Sequence, residues 1–305
     1  VNAFLFPGQG SQEVGMAADL FRSDEWFRSL VKAASATVGE DLEKICLRGP
    51  DKLLRRSRIL QPLIVAISLG YHRHLNLRTD VMLGHSLGEV SMLGAAGVIA
   101  PEEAVLMAAK RGALMDAAAQ QVRGGMLAVT TTHREQVLQL LDRPDAVLAN
   151  DNTPHQFVLS GSLEALEDIG RRLTHDRLGR ATLLPVDGPW HSPFMTGARD
   201  AFAAWATAIH FRPPSVPLIP NATGVLTTDP AQIKQCITDT LAGPVCWRSC
   251  METLRAMHPR QLFEIGPGRI LAGLARANGF GDNVRVFSVN NLRGVAAVQV
   301  DGGGK

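Results

Sequence analysis

The sequence predicts an α/β protein in two parts: a large domain with a parallel-sheet core, interrupted by a smaller βαββαβ unit. Three observations carry this. Residues 3–6 and 80–83 are short apolar runs, each followed at once by a glycine-rich turn and a helical pattern, the signature of buried strands feeding helices. From Gly124-Gly125 to Asp187-Gly188-Pro189 the rhythm changes to strand, helix, strand, strand, helix, strand, the ferredoxin-like order. And 305 residues are enough for one large domain or two unequal ones.

Taken in order, strand 3–6 stops at Pro7-Gly8-Gln9-Gly10-Ser11. A helical region follows, carrying Met16, Leu20, Phe21, Phe27, Leu30 and Val31. A helix is expected over 63–75, with Gln61-Pro62 just ahead of it, where a missing N–H costs little. Strand 80–83 leads into Gly84-His85-Ser86-Leu87-Gly88-Glu89 and a helix rich in Ser91, Gly94, Ala95, Ala96 and Gly97; helix 101–119 carries Arg111. The small unit is read as strand 126–130, helix 133–141, strands 146–149 and 156–160, helix 163–172 and strand 181–186. Helices and short strands return after it, and strand 261–265 ends in Gly266-Pro267-Gly268. The expected boundaries are a large domain over 1–122 and 189–298, an inserted subdomain over 123–188 and a flexible tail over 299–305.

Composition narrows the function. Hydrophobic residues make up 46% and charged residues 20%, ordinary for a soluble globular enzyme. A single Tyr and 5% aromatics require an aliphatic core. A net charge of +2 gives no nucleic-acid footprint and leaves room for an acidic protein partner. Cys46, Cys236, Cys246 and Cys250 show neither zinc-ligand nor secreted-disulfide spacing, pointing to a reducing, cytoplasmic setting. The opening residues read as a strand rather than a signal peptide, and no apolar run reaches the ~18 residues needed to span a bilayer.

The strongest chemical signal is G-x-S-x-G at Gly84-His85-Ser86-Leu87-Gly88. This pattern sets a serine on a sharp strand-to-helix turn, with its hydroxyl at the positive end of a helix. Glycines are needed where backbones approach closely. Serine needs a base. Among nine histidines, His85 should point away from its neighbour Ser86 and serve structure. His191 stands out because Pro189 and Pro193 stiffen its segment, Gly188-Pro189-Trp190-His191-Ser192-Pro193.

These motifs, with Phe6-Pro7-Gly8-Gln9-Gly10-Ser11-Gln12, the Arg111 helix, Asn150-Asp151-Asn152 and Glu264-Ile265-Gly266-Pro267-Gly268, occur in an order and spacing that resembles the malonyl-CoA:acyl carrier protein transacylases and the related acyltransferase domains of polyketide synthesis. The resemblance runs from about residue 3 to 288. It implies an α/β-hydrolase-like large domain and ping-pong transfer of malonyl from coenzyme A to the phosphopantetheine thiol of an acyl carrier protein. Ser86 would be the nucleophile and His191 the base. The backbone N–H groups of Gln9 and Leu87 would form the oxyanion hole, and the carbonyl of Cys246 would orient His191. Asp187 is a less suitable orienter, since Asp-Gly-Pro suits a solvated turn.

Arg111 would bind the malonyl carboxylate through two parallel hydrogen bonds, which Lys cannot copy. Met115 would line the same pocket, one turn on. Trp190 before the histidine would crowd an α-methyl branch and so disfavour methylmalonyl. Asn150 and Asn152 match a pair near the pocket rim, although turn capping explains them equally; Gln61 also matches a position near the site. No metal or prosthetic group is implied, coenzyme A being the thiol carrier of the substrate. The pathway expected is fatty acid biosynthesis. The alternatives are a trans-acting polyketide acyltransferase, a malonate decarboxylase subunit, a thioester hydrolase on the same scaffold, or a non-catalytic docking subunit. A monomer is favoured.

Overall fold

A computed structural model describes residues 1–281 and 283–302. Among the described residues eight strands form two separate sheets. The first is parallel throughout, with β1 (Asn2–Phe6), β2 (Val81–Gly84), β7 (Gln261–Ile265) and β8 (Arg285–Val289) in the order β2-β1-β7-β8. Its central strands are buried almost end to end because helices cover both faces. Alternation along β1 divides the core. Phe4 and Phe6 enter the cluster formed with helix Ser57–His74 and its neighbours, while Ala3 and Leu5 enter the opposite cluster with Val81, Leu83, Trp247 and Leu262.

The second sheet is antiparallel: β3 (Gly124–Thr130), β4 (Ala146–Asp151), β5 (Gln156–Ser162) and β6 (Arg180–Leu183), in the order β4-β5-β3-β6. With helices Arg134–Leu138 and Leu163–His175 between strands, this is the expected ferredoxin-like order. Leu127, Val129, Phe157 and Leu159 pack against helix Leu163–His175 through Leu166, Ile169 and Leu173. The alternate residues Met126 and Val158 turn the other way, joining Met115, Trp190 and Met195. The helix-free face of the small sheet therefore roofs a cleft over the large domain. A register shift between Leu148 and Asn150 bends β4 there. Backbone bonds from Asp151 N–H to Val245 O (2.9 Å) and from Val245 N–H to Ala149 O (2.8 Å) then fasten β4 to the large domain.

Several expectations need correction. Pro62 is not ahead of its helix but inside it, since the helix starts at Ser57. The residues on either side of Pro62 are buried, so packing offsets the lost backbone bond. Helix 133–141 is shorter, Arg134–Leu138. The sequence pattern does not single out β8 or helix Ile270–Ala277. Residues 299–302 are not tail but the end of helix Leu292–Gly302, and 303–305 lie outside the described residues. No helix of the described residues is long and apolar enough to cross a membrane.

Candidate active site

The carboxyl edge of the parallel sheet gathers three loops, where open α/β sheets hold their ligands: Pro7–Ser11 after β1, the turn at Ser86 after β2, and Gly266–Gly268 after β7. The turn exists because its glycines let backbone meet backbone. A Cβ on Gly88 would lie 2.0 Å from Phe6 O, and one on Gly84 would lie 2.1 Å from Gly88 C. Ser86 itself has φ +52°, rare for a residue with a side chain. Its hydroxyl stands at the start of helix Gly88–Ala95. The Gly266-Pro267-Gly268 motif has a structural reason. The buried Glu264 accepts the N–H groups of Leu271 and Ala272, both at 2.9 Å, and so caps helix Ile270–Ala277.

His191 comes from the stiff segment after the small domain and also has positive φ, +58°. Ser192 Oγ donates to Pro189 O (2.6 Å) and tightens that turn. His191 Nε2 lies 2.7 Å from Ser86 Oγ, and Nδ1 lies 2.6 Å from the carbonyl oxygen of Thr240. A carbonyl only accepts, so Nδ1 carries the hydrogen and Nε2 offers its lone pair to the serine hydroxyl. Burial, then the nearby Arg111 cation, pushes the imidazole pKa down to about 3. The ring is therefore neutral at pH 7 and able to take a proton.

The orienting carbonyl corrects the assignment to Cys246. The Cys246 carbonyl accepts Cys250 N–H (3.1 Å), the first bond of helix Trp247–Ala256, and so is committed to that helix. Thr240 follows helix Pro230–Asp239 as its C-cap, where carbonyls lack helical donors. The negative end of that helix also favours a proton on His191. Asp187 lines the cavity but makes no hydrogen bond to His191.

Arg111 is 2% exposed, on helix Pro101–Ala119. Its Nη1 donates to Gln61 Oε1 (2.9 Å), and its Nη2 lies 3.4 Å from Ser86 Oγ. Burial lowers its pKa to about 10, leaving it charged at pH 7. Gln61 Nε2 donates to Gln9 Oε1 (2.9 Å) and contacts Met115 Sδ (3.2 Å). Gln61 is thus the connector that fixes Arg111, the β1 loop and Met115 together. Neither the Gln9 nor the Leu87 backbone N–H donates to a protein acceptor among the described residues. Gly8 brings their loops together: a Cβ there would lie 2.6 Å from His85 O and 3.6 Å from Leu87 N.

His85 points away from the serine, as expected. Its Nε2 lies 2.8 Å from Asn152 Oδ1, and its ring meets Trp247 edge-on at 5.2 Å. Asn152 also accepts Asn278 Nδ2 on its carbonyl (2.8 Å), so it ties the two domains together behind the site. Asn150 pairs with Val158 across the sheet and lines the cavity with it. The cavity, about 430 Å³, is bounded by Ser86, His191, Met115, Met126, Trp190 and Ile270 among others. Arg111 does not line the cavity itself but lies 3.4 Å from Ser86 Oγ, which does. Among the described residues no three His, Cys, Asp or Glu side chains are grouped to hold a metal ion.

Sequence reasoning missed Asn221. It is fully buried; its Oδ1 accepts Ser86 N–H (2.7 Å), and its Nδ2 donates to Gly84 O (2.7 Å). The only signal was a polar residue closing the apolar run Val216-Pro217-Leu218-Ile219-Pro220.

A parallel-sheet domain with a serine on a strand-to-helix turn, paired to histidine under a ferredoxin-like roof, defines an acyl transferase scaffold. The chain belongs to the acyl transferase domain family, whose model matches residues 3–277. It is 34% identical to a malonyl CoA-acyl carrier protein transacylase of Salmonella typhimurium over 282 residues, 90% of this chain and 91% of that one. A crystal structure of malonyl-CoA:acyl carrier protein transacylase from Xanthomonas oryzae superposes with a TM-score of 0.91 at 29% identity, covering 98% of each chain. A type II polyketide malonyl-transacylase solved in complex with its acyl-carrier protein gives 0.91 at 30% identity, covering 98% of this chain and 99% of that one.

Proposed function

We propose that this chain moves a malonyl group from malonyl-CoA to the phosphopantetheine thiol of an acyl carrier protein, through an ester on Ser86. The observation that carries this is a neutral, carbonyl-oriented His191 at 2.7 Å from Ser86 Oγ, with the buried Arg111 cation 3.4 Å from the same oxygen. In the first half-reaction His191 Nε2 takes the hydroxyl proton while Oγ attacks the thioester carbonyl. The oxygen that becomes negative faces the Gln9 and Leu87 N–H groups at the positive end of helix Gly88–Ala95. Collapse breaks the C–S bond, and the thiol of coenzyme A leaves with the proton from His191. In the second half the carrier thiol gives its proton to His191, attacks the ester, and Ser86 recovers its hydrogen.

The malonyl carboxylate is two C–C bonds of about 1.5 Å from the carbonyl carbon on Oγ. That places it beside an Arg111 already in contact with Oγ. Trp190 and Met115 line the same cavity as Ser86. We assign the activity to fatty acid biosynthesis in the cytoplasm, in keeping with the bacterial relative above and with four free cysteines. The test is intact-mass analysis after mixing with malonyl-, acetyl- and methylmalonyl-CoA, followed by holo acyl carrier protein. The expected result is a malonyl adduct on wild type, none on Ser86→Ala, and its loss to the carrier. Rapid release of free malonate without carrier would make the chain a hydrolase instead.

A further inference from the structure

The left-handed Ser86 is held from behind by a closed loop of buried hydrogen bonds through Asn221 and Glu89, neither of which lines the cavity. The segment ahead of Asn221 runs alongside β2: Leu218 bridges Met82, and Ile219 N–H donates to Met82 O at 3.2 Å. This brings Asn221 level with the turn. Its one amide then grips both sides of His85, through Gly84 O and Ser86 N–H, each at 2.7 Å. Asn221 is itself held. Its backbone N–H donates to Glu89 Oε1 (2.8 Å), and its carbonyl accepts Cys246 N–H (3.0 Å). Glu89 lies on the helix that the turn feeds, 1% exposed. A residue with positive φ persists only where its surroundings over-determine it, and these bonds supply that constraint.

We propose that Asn221 and Glu89 act as one brace, positioning residues that set the direction of Ser86 Oγ toward His191 and of the Leu87 N–H toward the developing oxyanion. The proposal rests on the Ser86 acyl-enzyme reading. It requires an amide at 221: Asp would set a carboxylate oxygen against the Gly84 carbonyl. At 89 it requires only an acceptor, which Gln supplies.

The experiment measures single-turnover acylation of Ser86 by malonyl-CoA, binding of malonyl-CoA in a Ser86→Ala background, and labelling of Ser86 by a fluorophosphonate. Asn221→Ala and Glu89→Ala should each slow acylation and labelling by about 10²-fold, the scale of a 1 Å misplacement, while malonyl-CoA binding stays within about threefold. Glu89→Gln should recover most of the loss, and the double variant should be no slower than Asn221→Ala alone, because the two act as a unit. Folded Asn221→Ala with near wild-type acylation overturns the brace, as does a double variant whose losses multiply. If Asn221→Ala does not fold, equal rates for Glu89→Ala and Glu89→Gln overturn it. Failure of wild type to take malonyl while still labelling with fluorophosphonate counts against the substrate reading alone, and the labelling rates of the variants still judge the brace.

Discussion

Removing Arg111 should cost the enzyme its acyl selectivity rather than its nucleophile. The guanidinium is buried, makes one bond to Gln61 at 2.9 Å and sits 3.4 Å from Ser86 Oγ. Charge-assisted bonds to a carboxylate contribute about 1.5–3 kcal/mol each. Two of them amount to about 3–6 kcal/mol, or roughly 10²- to 10⁴-fold in malonyl kcat/KM. An acetyl group has no carboxylate and loses nothing from this clamp. It gains slightly, because the Arg111 cation is the second cause of the low His191 basicity. Arg111→Ala should therefore lower the malonyl-to-acetyl ratio by at least about 10²-fold. Arg111→Lys keeps the charge but not the fork and should fall between. Gln61 Oε1 loses its donor in Arg111→Ala, a stability cost of about 1–3 kcal/mol to be checked by denaturant melts. Acylation rates with malonyl-CoA and acetyl-CoA, followed by intact mass, decide the matter. An unchanged ratio in a folded variant refutes the carboxylate clamp.

Trp190→Ala should open the acyl pocket and raise methylmalonyl acylation relative to malonyl by about 10-fold or more, measured in the same competition; no change means that the ring does not limit the α-branch. Gly88→Ala places a Cβ 2.0 Å from Phe6 O, backbone against backbone, and should cost more than about 4 kcal/mol or prevent folding, as read by urea melts. His72, which meets Phe4 and Phe6 edge-on, has its pKa lowered by burial to about 4. Between pH 6.5 and 4 the unfolded chain binds a proton there that the native one refuses, so stability falls as pH falls through this window. His72→Phe should remove about 1–3 kcal/mol of that decline; an identical pH dependence of stability in the variant would contradict the burial argument.

What the sequence made legible follows from what each role demands of a side chain. Nucleophile and base need particular functional groups, so Ser86 and His191 stood out by residue type and setting, whereas Arg111, beside Lys110 on a mixed-charge helix, stood out only through the family resemblance; the structure brings all three together. β1 and β2 stood out because strands buried on both faces are largely apolar runs, and β7 because its run, broken by the capping Glu264, stops at Gly266-Pro267-Gly268. β8 did not, since it is an edge strand with only Val289 fully buried. The harder misses belong to backbone groups. A carbonyl that orients an imidazole leaves no mark on the residue bearing it: Thr240 and Cys246 are equally capable in composition, and only the end of helix Pro230–Asp239 frees the former while the start of helix Trp247–Ala256 occupies the latter. Asn221 is intermediate. Its amide is chemically required, yet its partner Ser86 lies 135 residues away, so the need becomes visible only once the sheet sets residue 218 beside residue 82. The groups that transfer the proton are thus written locally, whereas the groups that aim them depend on which distant segments the fold brings to the edge of one sheet.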